Sequence, residues 1–177
     1  MLYGNAKLTG VERKFDRRDI IVSKTDLTGK ITYGNNTFYD LADMTEKDCL
    51  NVQHNVVRHP DMPRTVFEYL WQCIKSGEEI FAYVVNRAKN GDHYWVLAHV
   101  TPSRDSGGNI VGYHSNRSAP NRQLIDEKIY PLYQELKALE EQASSPKQGL
   151  LDGINHLERL LLERKMTFNE MIFAMGV

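Results

Sequence analysis

Cysteine is scarce: Cys49 and Cys73 are the only 2 in 177 residues. They have no CxxC spacing and no neighbouring ligand cluster, which argues against a disulfide framework or a structural metal site. No apolar run approaches the roughly 20 residues a helix needs to cross a bilayer. The stretch from Met1 to Asp19 is polar and charged, without the apolar segment of a secretory signal. The expectation is a cytoplasmic protein with no direct membrane insertion. Charge of one sign is lacking too. Against 22 Lys+Arg stand 23 Asp+Glu, a net charge of −1, so there is no electrostatic footprint for nucleic acid. A nucleophile elbow, a phosphate loop and an HExxH pair are also missing, so no catalytic residue is assigned and no enzyme is expected.

What the chain does have is a core's worth of apolar residues, 41% hydrophobic against 25% charged, an ordinary balance for a globular protein. Residues 1–19 carry mixed charge and little periodicity and read as an N-terminal arm or cap. Between 20 and 119 the pattern is that of a folded domain. IIVSKTD and ITYGN are two short strands around a turn that uses Gly29. TFYDLADMTEKDCL and the segment after Pro63 are helical, with Val66, Phe67, Leu70, Trp71 and Ile74 at helical spacing and Gly77 as a C-cap. IFAYVVNRA and YWVLAHVTPSRD flank Asn90-Gly91, which predicts a hairpin with a type I′ turn, and NIVGYHSNRS follows as a third strand. This is an α+β chain: an antiparallel sheet with short helices on one face.

Residues 120–177 form a helical signalling or interaction extension. Ile125, Ile129, Leu132, Leu136 and Leu139 trace a heptad seam that predicts a partner surface, with Pro131 expected to kink it or begin a new helix. After SSPKQG a second seam runs through Leu150, Ile154, Leu157 and Leu161, then Phe168, Met171 and Met175. Two such segments suit a helical hairpin or a coiled-coil homodimer, and they are also compatible with helices that simply fold back on their own sheet.

Several segments together are specific. SKTDLTGKITYGN (Ser23–Asn35), RHPDMP (Arg58–Pro63), NRAKNGDHYWV (Asn86–Val96), GYHSNR (Gly112–Arg117) and IYPLYQELKA resemble, in order and separation, the PAS domain of bacterial aerotaxis receptors. The resemblance covers about Ser23 to Ala138. It implies a PAS fold with a five-stranded antiparallel sheet, followed by C-terminal helices. It also implies a sensor of redox state or oxygen that binds flavin adenine dinucleotide (FAD) and signals to a chemotaxis transducer. Carried over by position, the cofactor-binding candidates are Arg58, His59, Asp61, Asn35, Asn86 and Trp71.

The chemistry of those residues is compatible with such a site. Arg58 has a planar fork for phosphate, His59 has an imidazole of the kind that donates to an anion or titrates near neutral pH when exposed, Asp61 accepts from a ring or ribose, and the amides of Asn35 and Asn86 donate and accept. The residues alone equally allow Arg58 to pair with Asp61, His59 to cap the next helix, the asparagines to cap turns, and Trp71 to be core. Where the family has tryptophan in a segment like GEPWSG, this chain reads GEEIFAY, with Ile80 at that place. Ring stacking there is lost or replaced, and Phe81 and Tyr83 are candidates to fill the pocket. Five histidines (His54, His59, His93, His99 and His114) keep haem open as an alternative, and a cofactor-free dimerisation or adaptor module is the remaining reading.

Overall fold

The computed structural model describes residues 7–176, so residues 1–6 of the expected arm and Val177 lie outside the described residues. β1 (Ile21–Thr25) and β2 (Ile31–Gly34) form the first hairpin. Its turn is organised by the Asp26 carboxylate, which accepts from the Thr28 N–H, the Thr28 hydroxyl and the Lys30 N–H. Gly29 has φ +83°, and a Cβ there would stand 2.9 Å from the Trp71 ring, so only glycine fits.

Helices α1 (Asn36–Ala42) and α2 (Glu46–Cys49), a 3-10 turn at His54–Val57 and α3 (Arg64–Lys75) follow. Then β3 (Ile80–Arg87), β4 (His93–Arg104) and β5 (Ile110–Ser118) complete a five-stranded antiparallel sheet of order β2-β1-β5-β4-β3. The β3–β4 turn departs from the expected type I′ form. Its loop is wider, closed by Ala88 N–H to Asp92 O, and among its residues Gly91 alone has a positive φ. The reason is the N-terminal arm, which lies against this turn: Thr9 N–H donates to Gly91 O, and Arg13 pairs with Asp92 at 3.0 Å.

Strand alternation divides the sheet into two faces. Ala82, Ala98, Arg117 and Ile21 form one row across the inner face, and Ile80, Val100, Ser115 and Ser23 form the next. Phe81, Tyr83, Val85, Trp95 and His99 take the outer face. Phe81 and Tyr83 therefore do not fill an inner pocket: Phe81 stacks on His99 at 4.1 Å, and Tyr83 lies under the C-terminal helices.

Those helices are α4 (Arg122–Leu124), a π turn (Ile125–Ile129), α5 (Tyr130–Gln142), α6 (Pro146–Arg164) and α7 (Phe168–Ala174). Pro131 sits in the first turn of α5, immediately after the π turn. Proline has no N–H and its ring crowds the carbonyl four residues back, so the chain widens there instead of breaking. The seam expected to meet a partner is used within the chain: Ile125, Ile129 and Leu136 are buried, and α5 pairs with α6 as a helical hairpin. Side chains also close the free edge of β3. Tyr133 OH donates to Tyr83 O, while the Asn169 amide accepts from Phe81 N–H at 2.8 Å and donates to Glu79 O at 3.1 Å. An edge so occupied cannot pair with another chain.

Because Leu136 is 0% exposed and Leu162 78% exposed, Leu136→Ala is expected to cost about 2–5 kcal/mol and Leu162→Ala less than about 0.5 kcal/mol. Urea unfolding of the two variants checks this. A midpoint for Leu136→Ala that depends on protein concentration would instead place the seam between two chains.

Candidate functional site

Between the inner sheet face and α3 lies a cavity of about 50 Å³. One wall is apolar, made by Leu70 and Ile74 of α3 and by Val84, Ala98 and Val100 of the sheet. The other is polar, with Ser23, Thr25, His54, Asn86, Ser115 and Arg117. Three buried atoms of that polar wall have no hydrogen-bond partner among the described residues: Thr25 Oγ1, Ser115 Oγ and Arg117 Nη1. Buried polar groups in folded proteins are nearly always satisfied, so these three atoms are the donors and acceptors that the cavity offers to a ligand or to water.

Arg117 is 5% exposed and takes part in no ion pair among the described residues. Its Nη2 donates to Ser23 Oγ at 2.8 Å and to His54 Nε2 at 2.7 Å, and its guanidinium stands 5.7 Å from the centre of the Phe38 ring. Burial lowers its pKa to about 10, which still leaves it charged at neutral pH. His54 must therefore present a bare Nε2. Enclosure of its ring, and next the Arg117 charge, push its pKa down to about 3. The pair is a fixed cation beside a neutral imidazole at the polar end of the cavity.

His54, Phe67 and Trp71 line this cavity and also an open groove of about 450 Å³ on the far side of them. The groove carries Arg58, Arg64 and Lys75. Three side chains thus separate a small inner chamber with a polar end from a larger, cationic outer one. Swinging Phe67 and Trp71 outward would join the two.

The residues expected from sequence are distributed around this arrangement. Asn86 lines the inner cavity, Trp71 the dividing wall and Arg58 the outer groove. Arg58 does not pair with Asp61. Its Nη2 donates to Met62 O, its Nε has no partner among the described residues, and burial lowers its pKa. Asn35 lies outside both chambers, where it caps α1 and staples β1 by accepting from Phe38 and Val22 N–H and donating to Ile20 O at 2.7 Å. His59 and Asp61 face the opposite side of β3, in clefts shared with Trp95 and Tyr130. There the His59 Nδ1 accepts from Asp61 N–H at 3.1 Å and its ring packs against His93. Sequence reasoning did not single out Arg117, Ser23, Thr25 or Ser115. The available signal was phase: Tyr113, Ser115 and Arg117 alternate in register with the buried face of β5, and polar residues in that phase mark a site.

Comparison with known proteins is consistent with this geometry. A family model described as the PAS fold matches residues 31–117. The chain is similar to the aerotaxis receptor of Escherichia coli (strain K12), 42% identical over 118 residues, which is 67% of this chain and 23% of that protein. It therefore spans about a quarter of that relative's length. Among solved structures, it resembles the dark state of the blue-light photoreceptor Aureochrome1 LOV, with TM-score 0.53 and 24% identity over 68% of this chain and 86% of that one. It also resembles a light-oxygen-voltage domain from work with a flavin analogue, with TM-score 0.55 and 18% identity over 66% and 87% of the two chains. At these identities the structural likeness concerns the fold.

His54 makes stability depend on pH. Its pKa falls from about 6.5 unfolded to about 3 folded, so below pH 6.5 the unfolded chain binds the proton first, and stability declines as pH falls toward 3. Asp48 and Asp92, held at about 2 by their hydrogen bonds, act only below pH 3.8. Between pH 6.5 and 4.5 the wild type is expected to lose more than about 1 kcal/mol, and His54→Gln to lose distinctly less. Equal slopes in thermal melts of the two proteins would contradict the assignment.

Proposed function

The chain contains a PAS domain of the aerotaxis-receptor family, and on that premise we propose that it is a flavin-dependent sensor of redox state or oxygen rather than an enzyme. The observation that carries this reading is the cluster of orphaned polar atoms, Thr25 Oγ1, Ser115 Oγ and Arg117 Nη1, at the end of an apolar slot. A flavin ring has that same split character, with an apolar benzenoid end and a pyrimidine edge of carbonyl and N–H groups. Asn86, Ser115, Thr25 and Arg117 fit the polar edge, and Leu70, Ile74, Ala98 and Val100 fit the apolar end.

The fit in volume needs movement. Ligand pockets run to about 300–1,000 Å³, and the inner cavity reaches that scale only when Phe67 and Trp71 give way and open it to the groove. The cations Arg58, Arg64 and Lys75 in the groove suit a pyrophosphate, which favours FAD over the bare ring. Haem is less well served. The two histidines on the cavity lining have their Nε2 atoms engaged, His54 by Arg117 and His114 by Asn116, so neither offers Nε2 as an axial ligand in this arrangement. When bound, a flavin would supply reversible electron uptake. The chain's part would be to hold the ring edge, keep water out and respond to the change of charge beside Arg117.

No helix of the described residues is long and apolar enough to cross a membrane. On this reading the output is a cytoplasmic contact made by the C-terminal helices with another protein, such as a chemotaxis transducer or a second copy of this chain.

Protein purified gently and supplied with FAD is expected to show oxidised-flavin absorption that dithionite bleaches. Arg117→Gln and Asn86→Leu should each weaken retention about tenfold or more, since a buried hydrogen-bonding group is left unmatched. Arg58→Ala should weaken it through the phosphates, whereas Asp61→Asn, on the other side of β3, should lose less. A folded protein that takes up no FAD would sink this reading and favour a cofactor-free docking module.

A further inference from the structure

Helix α3 begins without a cap of its own. Pro63 stands at its N-cap position and offers no side-chain hydrogen bond, although the first N–H groups of any helix need acceptors. The acceptor comes from the C-terminal helices. Glu140, near the end of α5, accepts from Thr65 N–H at 2.8 Å and Thr65 Oγ1 at 2.9 Å through one oxygen, and from Arg64 Nε at 3.3 Å through the other. Thr65 is 0% exposed and Glu140 8% exposed, so the carboxylate sits on the helix N-terminus out of water, where its charge is favoured.

The surroundings leave this joint no slack. A Cβ on Gly153 of α6 would fall 2.0 Å from Thr65 Oγ1, and one on Gly149 would fall 2.3 Å from the Glu140 carbonyl oxygen. The α6 backbone therefore rests directly on both members of the contact. One turn before Glu140, Lys137 Nζ donates to Pro60 O at 2.8 Å. The last turns of α5 thus grip the loop entering α3 as well as its first turn. The same α3 carries Phe67 and Trp71, the side chains that part the inner cavity from the outer groove.

We infer that Glu140 is a positioning residue that ties the movable wall of the ligand cavity to the α5–α6 hairpin. A ligand that displaces Phe67 and Trp71 pushes on α3, which carries both, and a shift of α3 at its N-terminus would drag or release Glu140. The signal therefore leaves the domain through the start of α3 rather than through the sheet face. This holds for any ligand that opens the wall and does not rest on the flavin reading.

The experiment uses the full chain without ligand and disturbs the wall from inside with Trp71→Phe. Hydrogen exchange of α6 amides, followed by mass spectrometry, reports the hairpin. With Glu140 present, Trp71→Phe is expected to speed α6 exchange about tenfold. In a Glu140→Ala background its effect on α6 exchange should fall severalfold, leaving only what passes through the direct contact of Gly153 with Thr65, while α3 is still altered. A merely structural Glu140 would lower protection but leave the effect of Trp71→Phe the same in both backgrounds, and that result overturns the inference, as does an unresponsive α6 with Glu140 intact. If Glu140→Ala does not fold, Glu140→Gln keeps one acceptor for Thr65 and loses the charge opposite Arg64. The effect of Trp71→Phe on α6 should then shrink, and an undiminished effect overturns the inference. Because no flavin is added, a protein that fails to bind FAD leaves this outcome untouched.

Discussion

Arg117 is a guanidinium taken almost wholly out of water with no carboxylate among the described residues to meet it, and much of the inner architecture is arranged around that fact. Burying an unpaired charge costs several kcal/mol. The cost here is spread over Ser23, the bare Nε2 of His54 and the face of Phe38, and it is not fully met, because Nη1 has no partner among the described residues. Each neighbour is fixed in turn. Ser23 belongs to β1, which pairs with β5 at Ser23–Ser115, and Phe38 is set by the α1 cap that Asn35 provides. His54 starts the 3-10 turn leading to the Arg58 loop. The arrangement is thus held from three elements while Arg117 Nη1 and Ser115 Oγ keep hydrogen-bonding capacity to spare.

This explains why Asn35 matters without touching the cavity. Its amide joins β1 to α1 by three hydrogen bonds, and both elements carry groups that meet Arg117. A sequence match cannot separate a residue that contacts a ligand from one that holds the contacting residues in place, because both positions are equally constrained. The RHPDMP segment poses the same problem. Arg58 and Asn86 form an isolated bridge along the edge of β3, so alternation at that edge sends Arg58 toward the groove and His59 to the opposite side. Six consecutive residues read as one box thereby serve two surfaces.

The strands and the helix carrying Trp71 were legible because each rests on local signals: period-two alternation, Gly29 and Gly77 at left-handed positions, and a helical spacing of large apolar residues; the order of the sheet, which depends on the distant pairing of β1 with β5, was not. The site was only partly legible. Asn86, Trp71 and Arg58 were reachable by resemblance, whereas Arg117 at the end of a strand looks like any solvated arginine until β1 and β4 are laid on either side of it. The helices after 120 were misleading in another way. A heptad seam states that one face is apolar, and it is silent on whether the covering surface is a second chain or the same one. Tyr133, off the seam and buried beneath Trp95 and Tyr83, shows that the apolar arc of α5 is broader than a two-residue coiled-coil stripe, as suits a helix lying on a sheet.

Ile80 links the two halves of the molecule. It stands on the inner row with Val100, Ser115 and Ser23, beside the cavity yet fully packed, while its neighbour Phe81 points outward to His99 and Phe173. A tryptophan on that inner row would extend toward the ring slot, and isoleucine leaves that space to the surrounding apolar side chains. The aromatic surface facing the cavity then comes mainly from α3, through Phe67 and Trp71, rather than from the sheet. A ligand held against α3 transmits its fit to α3, and α3 is the element whose first turn is held by the C-terminal hairpin. With isoleucine on the inner row, the aromatic side chains that line the cavity from α3 sit on the helix whose first turn is held by the C-terminal hairpin.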